Sequence, residues 1–333
     1  MDRDKAQKVL VTGGTGFTGS HLVKRLLSRG SEVIVVDNQK GHFYHELESL
    51  GARIVLGSVT DRELMDEVVK GCDVVYHIAA AFRKINEPKG VYWNVNVNGT
   101  RCVLEAVAKH GVRKVVHCGT CGVHGNVTEV PAPETAAIAP ADYYQYTKWE
   151  SERVVHEFVE RGLNVTILRP AAIYGPGDPG RWLMLFKRVA RGRFLMFGDG
   201  QVVYHPLYID NLIDAFELAV ERDESAGRAY LIADERYYTL NELVRAIADV
   251  LGVKVAVTRV PFWPLWLAAV ACEGVCAPLR IAPPIFRRRV DWFRQNRAFD
   301  ISRAKQELGY RPGVDLHTGL ARAARWYKEH GYI

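Results

Sequence analysis

Near the start of the chain stands Val9-Leu10-Val11-Thr12-Gly13-Gly14-Thr15-Gly16-Phe17-Thr18-Gly19. A β-branched run passes directly into glycines spaced three apart and then into the helical sequence 20–29. This order predicts a strand, a tight turn and a helix start, where backbone N–H groups and the helix N-terminus can meet a pyrophosphate. Gly13 permits the turn, Gly16 lets a phosphate approach closely, and Gly19 lets the helix pack closely on the strand.

A second apolar run, residues 32–36, follows that helix and ends in Asp37, about 18 residues beyond Gly19. Dinucleotide-binding units place an acid about 20 residues after the glycines, where it accepts hydrogen bonds from the adenosine ribose. The Asp37 carboxylate would also repel a 2′-phosphate, and Asn38 and Gln39 offer no arginine to reverse that preference. The pattern therefore predicts a dinucleotide site that prefers NAD to NADP. The alternative interpretation is a glycine-rich turn that holds no ligand.

Bulk properties indicate an ordinary enzyme. A chain of 333 residues with 48% hydrophobic content can bury a large core as one large or two closely joined domains. The net charge of +6 is spread along the chain, and no nucleic-acid signature is present, so no nucleic-acid partner is expected. Among six cysteines only Cys118 and Cys121 have a redox-like or metal-like spacing; reduced thiols and no metal are expected. The charged residues 1–5 precede no signal-peptide core, which predicts a cytoplasmic protein.

The chain alternates predicted strands with helices. This alternation predicts an α/β fold, a doubly wound parallel Rossmann sheet with helices on both faces. The predicted strands are 8–11, 32–36, 53–56, 74–78, 114–118 and 164–168. After residue 170 the alternation fades. We expect residues 1–170 to form the NAD-binding domain, with a segment at about 200–232 returning to it, and residues 171–333 to form mainly a smaller, discontinuous substrate lobe.

A second pattern carries the predicted chemistry. Tyr144 and Lys148 lie one turn apart in a helical sequence. A phenol with a pKa near 10 is a poor base, but an ammonium at about 5 Å in an effective dielectric of about 20 contributes roughly 3 kcal/mol and lowers that pKa by about two units. Thr120 follows the predicted strand 114–118 and can hold a substrate oxygen beside the phenol. These residues suit the removal of a proton from an alcohol while a hydride leaves its carbon. The alternative interpretation is that Tyr144 and Lys148 lie on a surface helix without a catalytic role.

With these motifs the chain resembles an extended short-chain dehydrogenase/reductase of the NAD-dependent epimerase/dehydratase superfamily, over nearly its whole length. Thr12–Gly19 is similar to the family's T-G-x-x-G-x-x-G. Further similar segments are Val75-Tyr76-His77-Ile78-Ala79-Ala80, Asn96-Val97-Asn98-Gly99-Thr100, His117–Gly125, Leu168–Gly177 and Asp300–Pro312. The resemblance implies that Thr120, Tyr144 and Lys148 are the catalytic residues.

The motifs and the resemblance together define the predicted NAD contacts. The resemblance implies that the fourth-strand segment and the segment after Arg169 pass the cofactor, the latter at the nicotinamide carboxamide. One departure is Ser58, where relatives usually carry an Asp facing adenine, so adenine recognition is expected to be weaker or to use backbone alone. The predicted NAD-binding residues are Gly13, Gly16, Phe17, Thr18, Gly19, Asp37, Asn38, Ser58, Val59, Ala79, Ala80, Asn96, Tyr144, Lys148, Pro170 and Ile173.

Several candidate functions are compared through individual residues. Sugar-nucleotide dehydratases and decarboxylases of the superfamily carry an acid after the catalytic Thr, where this chain has Cys121 and Gly122. Sugar-nucleotide epimerases usually have an Asn where this chain has Ala172, and Tyr-Ile-Asp-Asn ending at Asn211 is closer to 3β-hydroxysteroid dehydrogenase relatives. These features favour a dehydrogenase or reductase over an epimerase that retains NAD. A non-catalytic dinucleotide sensor is disfavoured because the catalytic trio is present.

An apolar stretch of about 20 residues, 260–279, is interrupted only by Glu273 and is followed by three arginines at 287–289. Its prolines and its acid argue against a membrane span. The alternatives are a buried helix of the small lobe or a helix that faces a pocket or a bilayer. In the latter case the substrate is bulky and apolar, sterol-like or isoprenoid-like, and 262–279 makes peripheral membrane contact. Association into a homodimer stays open at this level.

Overall fold

The computed structural model describes residues 6–82, 87–279, 281 and 283–333. Residues 1–5, on which the expectation of no export partly rests, lie outside the described residues. The main sheet has seven parallel strands in the order β11-β6-β5-β4-β1-β2-β3. These strands are β1 (Lys8–Thr12), β2 (Glu32–Asp37), β3 (Arg53–Leu56), β4 (Val74–His77), β5 (Lys114–Cys118), β6 (Val165–Pro170) and β11 (Ala229–Ile232).

The α/β fold with a parallel Rossmann sheet is confirmed, and each predicted strand is present within two residues of its expected bounds. The largest strand difference is at β6, which runs on to Pro170 because it pairs along its length with β11. The first helix begins at Phe17 rather than at the expected residue 20, since Gly16 already occupies its N-cap.

Helices cover both faces of the sheet. They are α1 (Phe17–Ser28), α2 (Tyr44–Ser49), α3 (Arg62–Val69), α4 (Lys89–Trp93), α5 (Gly99–His110), α6 (Tyr143–Glu160), α7 (Arg181–Ala190), α8 (Ile209–Glu221), α9 (Leu240–Leu251), α10 (Phe262–Cys276), α11 (Arg287–Val290) and α12 (Leu316–Glu329). Alternate strand residues point to opposite faces. Leu10 and Val75 join the apolar cluster with α3, α5 and α6, whereas Val9 and Val35 join the cluster with α1 and α8.

The second half of the chain adds small sheets and a lobe to this core. Its remaining strands pair as β7 (Ala172–Tyr174) with β10 (Pro206–Tyr208), β8 (Arg193–Phe197) with β13 (Ala256–Val260), and β9 (Val203–Tyr204) with β12 (Tyr238–Thr239). The cluster beneath α1 and α8 continues without interruption into α7, α9 and α12. The predicted division at residue 170 stays a prediction.

Helix α10 is not a buried helix of this lobe. Ala269 is its only buried residue, whereas Trp263 is 65% exposed and Leu267 is 51% exposed. The buried alternative considered for residues 262–279 is therefore wrong, because no described element covers the outer side of the helix. No helix in the described part of the chain is long and apolar enough to cross a membrane.

Candidate active site

The predicted site residues gather along one edge of the main sheet. In parallel strands all carboxyl ends meet at the same edge, and ligands bind where the strand order reverses. Here that reversal lies between β1 and β4, which both pair with their neighbours up to Thr12 and His77. The glycine loop follows β1, Asp37 ends β2, and Thr120 follows β5 by two residues.

The glycine loop has the shape that a pyrophosphate requires. A Cβ on Gly13 would lie 2.8 Å from the Ala79 Cα, and a Cβ on Gly19 would lie 2.2 Å from the Gly13 carbonyl oxygen. Around Gly16 the space is open, since a Cβ there meets only that carbonyl oxygen at 3.4 Å. Among the described residues no side chain caps the N-terminus of α1, so its first N–H groups are available to an anion. Phe17 and Thr18, in the first turn, are half-buried.

Asp37 is held in place by Thr15, a residue that the sequence pattern did not single out. The backbone N–H and the hydroxyl of Thr15 both donate to Asp37 Oδ2, at 3.1 and 2.7 Å, and Thr15 is completely buried. Asp37 Oδ1 takes no part in these bonds. Thr15 stands inside the quoted glycine stretch, but only the approach of β1 to β2 shows that it orients the acid. Asn38 is exposed beside it.

The residues that follow β3 and β4 offer mostly backbone atoms to the predicted cofactor site. The Ser58 hydroxyl is hydrogen-bonded to Thr60 Oγ1 at 2.7 Å, so it organises its own turn, and Val59 is buried against Gly99. After β4 the Ala79 N–H donates to Thr12 Oγ1 at 3.2 Å, and Ala80 is half-buried at the same edge. The expectation that adenine is recognised more weakly or through backbone alone stays a prediction.

Asn96 joins two parts of the site. It is fully buried in a π-helical turn, Asn94–Asn98, between α4 and α5. Its amide oxygen accepts from the Ala81 N–H at 2.8 Å, and its Nδ2 donates to the Ala81 carbonyl and to Thr147 Oγ1. Thr147 in turn donates to the Tyr144 carbonyl at 2.9 Å. Asn96 thus fastens the segment after β4 to the helix that carries Tyr144.

The three predicted catalytic residues lie on neighbouring elements. Tyr144 and Lys148 are both buried on one face of α6, which Asp142 caps by accepting from the Gln145 N–H. Thr120 is half-buried and accepts from the Gly122 N–H at 3.1 Å, which leaves its hydroxyl hydrogen to be donated elsewhere. The exposed ring of Phe82 packs edge-on against the Tyr144 ring at 5.1 Å between centroids.

Lys148 is buried beside two histidines, His77 and His117. Burial lowers the pKa of its ammonium, which Cys118 and Glu152 partly oppose. The His77 Nε2 donates to Thr100, whose own hydroxyl proton goes to the Asn96 carbonyl, and burial lowers the pKa of His77 to about 3. Both neighbouring histidines, His77 and His117, are therefore neutral, and Lys148 brings the positive charge to this region.

An ion pair lies beneath the Thr120 turn. Arg169 donates three hydrogen bonds to the Glu152 carboxylate, the shortest at 2.6 Å, and both side chains are buried. Arg169 also donates to His124 Nε2 at 3.1 Å. A Cβ on Gly119 would lie 2.6 Å from Glu152 Oε1, so the carboxylate packs against the backbone just before Thr120. The pair supports this turn from below.

The segment after β6 divides into site and structural positions. Pro170 is buried at the end of the strand, whereas Ala172 and Ile173 are half-buried in β7. Asn211 is fully buried and bonds the Asp234 carboxylate and the Val314 backbone. Asn211 therefore has a structural role, and its contacts do not support the interpretation of this residue as a sign of ligand type.

A cleft of about 380 Å³ opens beside the N-terminus of α6. Asp142, the N-cap of α6, and Gln145, the residue after Tyr144, form one wall, and Trp266 of α10 lies in another. Tyr144 itself does not line this cleft. The cleft is also lined by the arginines Arg181, Arg287, Arg294 and Arg297 and the carboxylates Glu273 and Asp291. The inner side of α10 thus lies among arginines, so the apolar composition of residues 262–279 is not by itself an argument against a charged ligand.

The cysteine pair shows no thiolate character. Cys118 and Cys121 are both buried, and the Cys121 thiol donates to the Arg169 carbonyl at 2.9 Å. Burial raises the pKa of Cys118 to about 11 and raises that of Cys121 well above its ordinary value. Among the described residues no group of three or more His, Cys, Asp or Glu side chains is arranged to hold a metal ion.

Two further sets of buried groups matter for stability. The four buried histidines are His77, His117, His124 and His205. Burial lowers their pKa values, to about 3 for His77, to about 4 for His124 and His205, and well below the ordinary value for His117. The two buried aspartates are Asp178 and Asp234, and burial raises the pKa of each to about 6.

The site geometry is that of enzymes in which NAD supplies the redox chemistry and a side chain moves the proton, the class of short-chain dehydrogenases/reductases. Within this class, the model of the NAD dependent epimerase/dehydratase family matches residues 9–233. The chain belongs to this family, and NAD is its cofactor.

Relatives from two functional branches match almost the whole chain. An Escherichia coli O157:H7 protein, N-acetyl-alpha-D-glucosaminyl-diphospho-ditrans,octacis-undecaprenol 4-epimerase, is 27% identical and covers 97% of this chain and 96% of its own. The human sterol-4-alpha-carboxylate 3-dehydrogenase, decarboxylating, is 26% identical and covers 98% of this chain and 90% of its own. Among solved structures, the dTDP-glucose 4,6-dehydratase DesIV of Streptomyces venezuelae with NAD and TYD bound is 27% identical, with a TM-score of 0.79 and 97% of each chain covered.

Proposed function

We propose that the protein is an NAD-dependent oxidoreductase that interconverts a secondary alcohol and a ketone on a bulky substrate. The observation that carries this proposal is the pairing of Tyr144 with Lys148 on the buried face of α6, beside the end of β5 that positions Thr120. A phenol one helical turn from a buried ammonium is an acid/base that can work near neutral pH.

The three side chains have separate roles in this proposal. NAD, when bound, takes the hydride from the alcohol carbon or returns it to the ketone. The Tyr144 phenol exchanges the proton with the substrate oxygen, and Thr120 donates its hydroxyl hydrogen to the same oxygen. The Lys148 ammonium favours the ionised phenol, and its low-dielectric surroundings strengthen that interaction.

The cofactor is held by the edge of the sheet. The N–H groups at the start of α1 and the open space at Gly16 receive the pyrophosphate, and Asp37, oriented by Thr15, receives the adenosine ribose. Lys148 would bind the other ribose, and Pro170 and Ile173 would lie on the nicotinamide side. Asn96 positions α6 relative to the segment after β4 and so acts through its neighbours.

The cleft beside the N-terminus of α6 indicates what the substrate carries. Its walls combine the indole of Trp266 with guanidinium groups of arginines, so a substrate with both an apolar part and an anionic part fits it. A sterol-like or isoprenoid-like molecule meets the first requirement. The human relative, named as a sterol-carboxylate dehydrogenase, is consistent with this class.

A second candidate is a 4-epimerase of a diphosphate-linked sugar that retains NAD and returns the hydride to the opposite face. The specific observation in its favour is the same set of arginines, since guanidinium groups bind phosphates through paired N–H donors. The name of the E. coli relative combines a sugar, a diphosphate and a polyprenol.

Cofactor exchange distinguishes the two candidates. An oxidoreductase releases its cofactor in every cycle, whereas an epimerase must keep the reduced form until the hydride is returned. The purified protein is dialysed, tested for bound cofactor, and then supplied with NAD and a panel of sterol, isoprenoid and sugar-diphosphate alcohols while absorbance is followed.

We expect reversible NAD binding and reduced cofactor formed in proportion to the alcohol consumed. Cofactor that survives dialysis, together with conversion of a sugar diphosphate at constant absorbance, would establish the epimerase instead. Tyr144→Phe serves as the control for either chemistry, because it removes only the phenolic hydroxyl.

A further inference from the structure

Helix α10 has an outward face without a single charged or polar side chain. The exposed residues of the helix recur at helical spacing and are Trp263, Pro264, Leu267, Ala268, Ala271, Gly274 and Val275. Exposed helices usually turn charged residues to the solvent and apolar ones to the core. Here the exposed surface is the apolar one, with Trp263 65%, Leu267 51% and Val275 63% exposed.

The only charged residue of α10 is turned the other way. Glu273 is half-buried, and its carboxylate accepts from the Arg287 backbone at 2.8 Å and from Arg287 Nε at 2.6 Å. The apolar surface also continues past the helix, since Leu279 is 61% exposed and Ile281 is 57% exposed. The outward face of α10 together with Leu279 and Ile281 forms one apolar patch.

The sequence around this patch carries an excess of positive charge. Residues 259–294 contain six arginines but only two acids, Glu273 and Asp291. Both acids are already paired, Glu273 with Arg287 and Asp291 with Arg294, the latter at 2.7 Å. The surplus of arginine therefore complements a surface that is itself anionic.

We propose that the apolar patch docks onto the surface of an anionic lipid bilayer, with α10 lying in the interface. The helix has 15 residues and is about 22 Å long, so it cannot cross a hydrocarbon core of about 30 Å but can lie along it. Apolar side chains enter the acyl region while neighbouring arginines meet the phosphate groups.

A second copy of the chain is the less suitable occupant of this patch. A two-fold dimer brings the same surface of both subunits together, so the surplus arginines of each copy would face those of the other. A bilayer of anionic lipids neutralises that charge instead. This inference rests on the outward face of α10 and is independent of the proposed reaction.

Docking would also place the cleft next to the bilayer. Trp266 and Glu273, on the inner side of α10, line the cleft beside α6, while the outer side of the same helix forms the patch. A substrate that resides in a bilayer could then enter the cleft along α10.

The experiment is flotation of the full chain with vesicles of phosphatidylcholine alone and of phosphatidylcholine mixed with phosphatidylglycerol. We expect the wild-type protein to float with the mixed vesicles and much less with the neutral ones. Leu267→Glu should weaken binding to the mixed vesicles at least about tenfold. The variant removes a leucine that the bilayer would bury and adds a charge, and together these cost more than the 1.4 kcal/mol that corresponds to a factor of ten. Trp263→Glu should act in the same direction.

The matched control is Leu50→Glu, since Leu50 is also 51% exposed but lies at the end of α2. Vesicle binding of this control should stay within about twofold of the wild type, a change of less than about 0.5 kcal/mol. Thermal melting and NAD affinity of all three variants should match the wild type, because each changed side chain is exposed. Sedimentation without vesicles reports the oligomeric state.

Three results would overturn the proposal. One is wild-type protein that binds neither vesicle type, and another is equal binding to neutral and mixed vesicles. The third is a wild-type dimer that Leu267→Glu converts to a monomer, which would identify a second copy of the chain as the occupant of the patch.

Discussion

The buried ion pair between Arg169 and Glu152 provides a prediction that needs no substrate. The change is Glu152→Gln, which keeps the shape of the side chain and removes its charge. In the wild type three N–H···O contacts of 2.6 to 3.2 Å join the two groups, whose side chains are only 5% and 0% exposed. The variant leaves the guanidinium of Arg169 buried without its counter-ion.

The expected cost follows from this burial. Removing one partner of a buried ion pair typically costs about 3–5 kcal/mol, because the remaining charge stays desolvated without compensation. The glutamine carbonyl still accepts one hydrogen bond from Arg169, which places Glu152→Gln near the lower end, at about 3 kcal/mol. The Thr120 turn packs on this carboxylate through Gly119, so its geometry should loosen as well.

The assay is chemical denaturation of the wild type, the two single variants Glu152→Gln and Arg169→Met, and the double variant that combines Glu152→Gln with Arg169→Met. We expect each single variant to lose about 3 kcal/mol of unfolding free energy, and the double variant to lose less than either, because it leaves no unpaired buried charge. A matched surface control is Arg153→Met, whose pair with Glu150 is exposed on the arginine side and should cost at most about 1 kcal/mol.

Single variants that lose less than about 1 kcal/mol, or losses that simply add in the double variant, would refute the reasoning. In the first case the guanidinium would have found another partner or water. In the second the two side chains would stabilise the protein independently of each other.

Tyr144→Phe should lower turnover at least about a hundredfold with NAD affinity nearly unchanged, measured by steady-state rates and calorimetric titration, and an unchanged rate would move the proton-transfer role to Tyr143 or Tyr146. Lys148→Met should impair both turnover and NAD binding in the same assays, because the lysine is expected to serve phenol and ribose together. NAD should bind more tightly than NADP, and Asp37→Ala should narrow the difference; equal affinities for the two cofactors in the wild type would contradict this. The free energy of unfolding should fall as the pH drops from about 6 to about 4, because the four buried histidines take up protons only on unfolding, while the two buried aspartates, with pKa values of about 6, release theirs and offset half of that uptake. Denaturation curves measured across this pH range test the predicted fall in unfolding free energy, and a flat profile would count against it.

Residues close together along the chain could be assigned to the site from the sequence alone. The glycine loop, Asp37 at the end of β2, and Tyr144 with Lys148 on one helix depend on local geometry, because strand, turn and helical turn fix the distances between near neighbours. For the same reason the parallel sheet was predictable from the alternation of apolar runs with helical segments.

Contacts between distant segments needed the tertiary structure. Thr15 orients Asp37 only because β1 pairs with β2, and Asn96 reaches Ala81 and Thr147 only because the π-helical turn lies against α6. No spacing in the sequence encodes such meetings, since the chain between the partners can take many paths.

The apolar composition of residues 262–279 also left their environment undecided. Composition states which side chains gain by leaving water, but not whether another element arrives to cover them. The sequence by itself determined an NAD-binding sheet and a tyrosine–lysine pair, because those follow from local backbone geometry. Only the tertiary structure decided that α10 stays exposed and that arginines far apart in the chain line one cleft, because packing partners and charge clusters arise from how distant segments meet.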